Sequence, residues 1–327
     1  MTLKGKSIQD FITPVSCVDY DLPNGNRLFV KRDDLLPFSF GGNKVRISEC
    51  YLRDMREKKK NLMIGYGNNR SNLCRTLSNL CFSNGIPIWI VSPADENGSR
   101  SLSFNSALVA DVFHAKVIQC SKTDVAATIQ NAMNEAERQG YAPYYINGDC
   151  FGHGNEAVPV QAYVDVYSEI EAQSVAMNCP FDHIFVTVGT GMTLAGLVCG
   201  QKISLRTKSS RSPGITGISI ARSRENAMSA TNRYISAYFQ EPQTQNAYDI
   251  FENSGNGYGC YDEKTNLLIE DFLAKTGMPL DPNYTGKGFD GMLKVIKDKQ
   301  IRESNILFIH TGGLPLFFDH LRERGSK

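Results

Sequence analysis

The chain has 327 residues, enough for two domains of ordinary size, and its 41% apolar, 21% charged and 10% aromatic residues describe a globular protein. Its 35 basic and 34 acidic side chains leave a net charge of +1, which lacks the clustered basic excess expected of a nucleic-acid or anionic-membrane partner. Nine scattered cysteines without a Cys-x-x-Cys, five dispersed histidines, no basic-then-apolar start and no apolar run of about 20 residues together lead us to expect a cytoplasmic protein without disulfides, metal site or membrane span.

In chain order, strand-like runs fall at 28–30, 62–64, 86–91, 116–118, 144–146, 183–188, 215–220 and 306–309. Helical patterns fall between them at 71–84, 99–112, 123–139, 155–173 and 262–276. Lys58-Lys59-Lys60 reads as the solvated end of a helix, where cations suit the macrodipole. The longest polar stretch, 239–260, reads as a surface loop. Repeated strand-then-helix units imply parallel sheets covered on both faces and joined by right-handed crossovers. There are too many strands for one modest sheet. The expected fold is therefore α/β, with two doubly wound open-sheet domains.

Four segments carry the chemistry, each where a strand meets a helix, the edge at which open parallel sheets gather ligands. Gly41-Gly42-Asn43-Lys44 turns the chain into a helix and leaves Lys44 in the first turn, near unpaired amides and the positive dipole end that lower an amine's pKa. By itself the segment reads first as a solvated helix-start lysine. Asn69-Arg70-Ser71-Asn72 follows a strand, so Ser71 or Asn72 is either a plain helix cap or a group facing a carboxylate or a ring oxygen. Val188-Gly189-Thr190-Gly191-Met192-Thr193 joins an apolar strand to a helix, either as a simple turn or as an anion cradle of backbone amides with two threonine hydroxyls. It is neither a Walker A loop nor a dinucleotide fingerprint. Asp281 to Gly288 places Tyr284 in a glycine-flanked turn, as a packing aromatic or a proton shuttle, and His310-Thr311-Gly312-Gly313 lies beyond the next helix.

In order and spacing these segments resemble the 1-aminocyclopropane-1-carboxylate (ACC) deaminase and D-cysteine desulfhydrase family. That family belongs to the tryptophan synthase β-subunit-like, or fold type II, enzymes that use pyridoxal 5′-phosphate (PLP). The resemblance runs from Phe11-Ile12-Thr13-Pro14 to the Thr-Gly-Gly at 311–313. It implies a large PLP-binding domain over 1–47 and 165–327, a small inserted domain over 48–164, PLP in the cleft between them, and a homodimer. It further implies that Lys44 forms the Schiff base and that Gly189, Thr190, Gly191, Met192 and Thr193 hold the phosphate. Asn72 would bond the ring hydroxyl, and Ser71 the substrate carboxylate. Tyr284 and Tyr258 would face a small amino-acid substrate and manage protons.

Thr285 takes the place of the group that meets the pyridine nitrogen, which is a glutamate in the deaminase branch, and Thr311 stands where that branch has leucine. Threonine at both positions resembles the desulfhydrase branch. The ring is then expected to be closer to neutral, with α,β-elimination from D-cysteine to pyruvate, sulfide and ammonia as the reaction. ACC deamination and β-replacement are the alternatives within the fold, and a non-catalytic PLP or amino-acid binder is the alternative outside it. Leu73, Met192, Ile47 and the segment 148–156 depart from the family pattern.

Overall fold

The computed structural model describes residues 11–93, 103–207, 212–243, 247–255 and 262–325. The strands are β1 (Val15–Val18), β2 (Arg27–Lys31), β3 (Leu62–Tyr66), β4 (Ile88–Pro93), β5 (Lys116–Cys120), β6 (Pro143–Tyr145), β7 (His183–Val188), β8 (Gly214–Ser219), β9 (Asp249–Glu252) and β10 (Asn305–Ile309). The first five helices are α1 (Asn43–Glu57), α2 (Asn72–Ser83), α3 (Phe104–Ala107), α4 (Val125–Arg138) and α5 (Gln161–Ala176). The others are α6 (Met192–Thr207), α7 (Arg224–Phe239), α8 (Glu263–Thr276), α9 (Thr285–Asp298) and α10 (Leu314–Gly325).

The chain divides into two compact units. One comprises Pro37–Ser39 and Lys44–Pro159, and the other Ile12–Leu36, Phe40–Asn43 and Val160–Lys327. The first unit is built on a parallel sheet of order β5-β4-β3-β6. The second has a sheet of order β1-β2-β10-β7-β8-β9, in which only the pairing of β1 with β2 is antiparallel. In both, the order departs from the chain sequence and the parallel neighbours are joined through helices, as expected of doubly wound sheets. No helix among the described residues is long and apolar enough to cross a membrane.

Local chemistry accounts for the elements. In β7, Ile184 through Val188 are all buried, the mark of a parallel strand covered on both faces. Ser71 caps α2 by accepting from the Cys74 amide, and Asp262 caps α8 by accepting from the Thr265 amide. Gly277, at φ 72°, ends α8 in the left-handed conformation open to glycine.

Three expectations need correction. The stretch 239–260 is not wholly loop: Asp249–Glu252 pairs with β8 as an edge strand, too short for its periodicity to be read. The expected helix at 155–173 starts as a turn of 3₁₀ helix at Val158–Val160, and its α-helical part begins only at Gln161. Pro159 explains this, because its ring disfavours α geometry in the preceding residue and removes a donor. Of the helix expected at 99–112, the described part is α3 continued by a π-helical turn over Leu108–Val112.

In the second unit α8 and α9 bury an apolar face against β2, β7, β8 and β10. Phe289, fully buried, packs with its ring tilted at 4.6 Å from Phe272 and edge-on at 5.4 Å from Phe308 and 5.5 Å from Tyr20. Phe289→Ala should cost about 3–5 kcal/mol through lost burial and the cavity left behind. Urea unfolding of the variant against the wild type measures it, and a loss below about 1 kcal/mol would contradict this packing.

Candidate active site

The start of α1 is held by the turn before it. The Gly42 amide donates to the Asp33 carbonyl at 2.8 Å, and the Asn43 amide to the Thr311 carbonyl at 3.1 Å. Gly42, at φ 99°, has no room for a side chain, since a Cβ would lie 2.7 Å from the Thr311 oxygen. Asn43 Nδ2 then donates to Thr193 Oγ1 at 2.9 Å, which ties this turn to the first residues of α6. Sequence reasoning gave Asn43 no role. Its signal was only its place beside the lysine.

Lys44 is the second residue of α1. Its amine has no hydrogen-bond or ion-pair partner among the described residues, and burial lowers its pKa to about 8. The cause is loss of water on burial. Thr76 Oγ1, on α2, lies 3.3 Å from the Lys44 carbonyl oxygen and 3.1 Å from that of Asn72. The first unit thus brings Lys44 and the start of α2 together.

At that start, Ser71 Oγ accepts from the Cys74 amide at 3.2 Å and keeps its own proton to donate. Asn72 Oδ1 accepts from Asn105 Nδ2 at 3.0 Å, and Asn105 also donates to the Arg70 carbonyl at 3.0 Å. With its oxygen engaged, Asn72 presents its NH₂ group as a donor to any further partner. Asn105 is buried on α3, and no motif pointed to it. The Cys74 thiol is pushed up to about 11 by burial and is no nucleophile at neutral pH.

In the second unit, the 189–193 loop leads into α6. Thr190 is exposed, Gly189 is half-buried, and Gly191, Met192 and Thr193 are buried. The first amides of a helix lack intrahelical acceptors, so this end offers donors and a positive dipole to an anion. Thr193 Oγ1 accepts from Asn43 and retains its proton for the same purpose. A Cβ built on Gly189 would lie 3.8 Å from the Tyr284 ring, so Tyr284 stands over the loop. Thr285 is fully buried and Thr311 half-buried.

Asp281 organises the turn before α9. Its carboxylate accepts from the amides of Asn283, Tyr284 and Thr285 and from the Thr285 hydroxyl, at 2.8–3.0 Å. His310 is structural: its Nε2 lies 2.8 Å from the Pro279 carbonyl and its Nδ1 accepts from the Gly312 amide at 3.2 Å. Ile47 is a core side chain, Leu73 is half-buried, and Tyr258 lies outside the described residues.

These donors fit PLP. An unpartnered amine of lowered pKa suits its aldehyde, a helix N-terminus with a threonine hydroxyl suits its phosphate, and an oriented amide suits its ring oxygen. The sequence pattern of the family described as pyridoxal-phosphate dependent enzyme matches residues 8–312. The chain belongs to that family. A D-cysteine desulfhydrase of Klebsiella pneumoniae is 29% identical over 304 residues, covering 90% of this chain and 89% of its own. Among solved structures, an ACC deaminase homologue superposes with a TM-score of 0.80 at 26% identity, over 98% of this chain and 95% of its own. A hydrogen sulfide-producing enzyme from Fusobacterium nucleatum shares the fold, with a TM-score of 0.64 at 15% identity over 94% and 97% of the two chains. The protein is a PLP-dependent enzyme of fold type II.

Because burial lowers the Lys44 pKa, its amine becomes neutral, and so reactive, as pH rises through about 8 rather than 10.5. The rate at which cofactor-free protein captures PLP should climb through that range and then level off. Stopped-flow absorbance measures it, and a rate still rising steeply past pH 9.5 would contradict the burial argument.

Proposed function

We propose that the protein catalyses α,β-elimination from a small amino acid, with D-cysteine as substrate and pyruvate, sulfide and ammonia as products. The observation that carries this reading is the pair Thr285 and Thr311, two hydroxyl-bearing residues in the Tyr284 turn and beside the Lys44 turn. The similarity to D-cysteine desulfhydrases supports it.

When bound, PLP supplies the electron sink for the charge left at Cα, and the protein orients the bonds around it. Lys44 would hold the cofactor covalently, and its amine, with a pKa lowered to about 8 by burial, would serve as the base for the Cα proton. The amides at the start of α6, helped by Thr193 and Thr190, bind the phosphate. The NH₂ of Asn72 donates to the ring oxygen, and Asn105 keeps that amide turned outward. Ser71 has a proton free to donate to the substrate carboxylate, as its oxygen is held by the Cys74 amide. Tyr284 and Tyr258 carry protons at the substrate, and Thr285 faces the ring nitrogen. A homodimer in a reducing compartment completes the reading, and the eight cysteines among the described residues are all free thiols.

Borohydride reduction of the holoenzyme followed by peptide mapping tests the first assignment. A pyridoxyl group on any lysine but Lys44 would remove it. Thr193→Ala deletes one charge-assisted bond to the phosphate, worth about 1–3 kcal/mol, so the PLP dissociation constant should rise roughly five- to 150-fold. Equilibrium dialysis reads it, and unchanged affinity would place the phosphate elsewhere.

Release of 2-oxo acid from a panel of D- and L-amino acids and ACC decides the substrate. Thiolate leaves the β-carbon readily, whereas opening the ACC ring demands the stronger sink that a glutamate at the ring nitrogen maintains. The ratio of kcat/KM for D-cysteine to that for ACC should therefore favour D-cysteine in the wild type and fall at least tenfold in Thr285→Glu/Thr311→Leu. A wild type that prefers ACC, or that turns over neither, would overturn the substrate assignment and leave the Lys44 assignment standing.

A further inference from the structure

A hydroxyl has one proton and two lone pairs. Thr285 donates its proton to Asp281 Oδ2 at 2.8 Å and accepts from the Asp281 amide at 2.8 Å. One lone pair remains. Toward any further group, Thr285 can only accept. A neutral pyridine nitrogen is itself only an acceptor, so the two would present lone pairs to each other, whereas a protonated nitrogen has the hydrogen that this oxygen lacks.

Both oxygens of Asp281 accept two donors each, the hydrogen-bond pattern that suits a carboxylate. Three of the donors are amides at the start of α9, where the dipole favours an anion. Burial opposes this and raises the carboxyl pKa. The carboxylate is almost fully buried and has no cationic partner among the described residues, so its charge is not neutralised locally. Gly313 makes room for it: at φ 108°, its missing Cβ would lie 2.3 Å from Asp281 Oδ2. This is a buried carboxyl without a cationic partner among the described residues, with a hydroxyl laid directly against it. A helix cap needs the amides, but it does not need the fourth bond to Thr285 Oγ1.

We propose that Asp281 is a positioning residue that acts through the Thr285 hydroxyl, orienting it as an obligate acceptor and passing negative charge to the ring nitrogen of PLP. The inference rests on the reading that Thr285 faces that nitrogen. It alters what the threonine implies. Alone, a threonine would leave the ring close to neutral. Backed by Asp281, it is a weakened counterpart of a directly placed carboxylate, so the nitrogen keeps a larger protonated share than a hydroxyl by itself would maintain.

The test is ¹⁵N NMR of holoenzyme loaded with ring-¹⁵N PLP at one neutral pH, for the wild type and for Asp281→Asn, Thr285→Val, Thr285→Ser and Thr285→Glu. The ring resonance reports the protonated fraction and is not moved by a loss of cap strength alone. The expected order, from most to least protonated, is Thr285→Glu, then wild type with Thr285→Ser, then Asp281→Asn with Thr285→Val. If Thr285→Val shifts the resonance and Asp281→Asn does not, Asp281 is only a cap and the inference falls while the placement of Thr285 stands. If no Thr285 variant shifts it, the placement of Thr285 itself fails. Should Asp281→Asn not fold, Asp281→Ser keeps an acceptor for the amides without the charge. It must then shift the resonance toward the neutral limit, and a wild-type position for it overturns the proposal.

Discussion

Gly42 and Gly312 pass so close that a Cβ on Gly312 would fall 2.6 Å from the Gly42 Cα, and one on Gly42 would fall 2.7 Å from the Thr311 oxygen. This backbone-on-backbone contact seats the turn before α1 on the end of β10, and the Asn43 amide closes it by donating to the Thr311 carbonyl. The position of Lys44 follows from it, because a helix starting at Asn43 inherits its origin from that turn. The same turn places Asn43 against Thr193, so within the second unit the loop before α6 and the segment after β10 meet at one asparagine. The glycine contact is also intolerant, since any side chain at either glycine would have to displace main chain rather than another side chain.

Around this frame the polar groups are arranged in opposite ways. Lys44 is given no partner, and its charge is made costly by burial, which favours the neutral amine that chemistry on an aldehyde needs. Asp281 is also buried, and burial raises its pKa, but four donors fill its oxygens and oppose that shift. The difference lies in the donors. Asn72 and Ser71 follow a third pattern. One side of each is fixed by a neighbour, Asn105 or the Cys74 amide, so that the remaining donor is aimed rather than free to rotate. In each case the supporting residue, rather than the functional one, decides what the functional one can do.

The motif residues were legible because their chemistry is local. A glycine pair before a lysine, a Gly-x-Gly between an apolar strand and a helix, and a serine after a strand each describe a few consecutive residues, and the backbone they specify is the backbone observed. The supporting residues were not legible. Asn105 lies 33 residues from Asn72 and Asn43 lies 150 from Thr193, so neither partner could be read from the local sequence. Asp281 was visible as part of a motif, but its bond to Thr285 was not, and that bond reverses the donor–acceptor sense one would assign to the threonine alone. The edge strand β9 was missed for a related reason: four residues paired on one side carry too little pattern to stand out from loop.

The sequence by itself determined the alternation of strand and helix, the parallel sheets that follow from it, and the residue types available at each strand end. Periodicity, turn chemistry and propensity are properties of neighbours in the chain, and they survive without knowledge of the fold. Only the tertiary structure decided which side chains lose their water, which lose their donors to one another, and which keep a free valence. The cause of the lowered Lys44 pKa, the acceptor-only state of Thr285 and the fixed orientation of Asn72 all depend on groups brought together from distant parts of the chain. Solvation and hydrogen-bond saturation are set by what surrounds an atom in space, and that is information a linear order of residues does not contain.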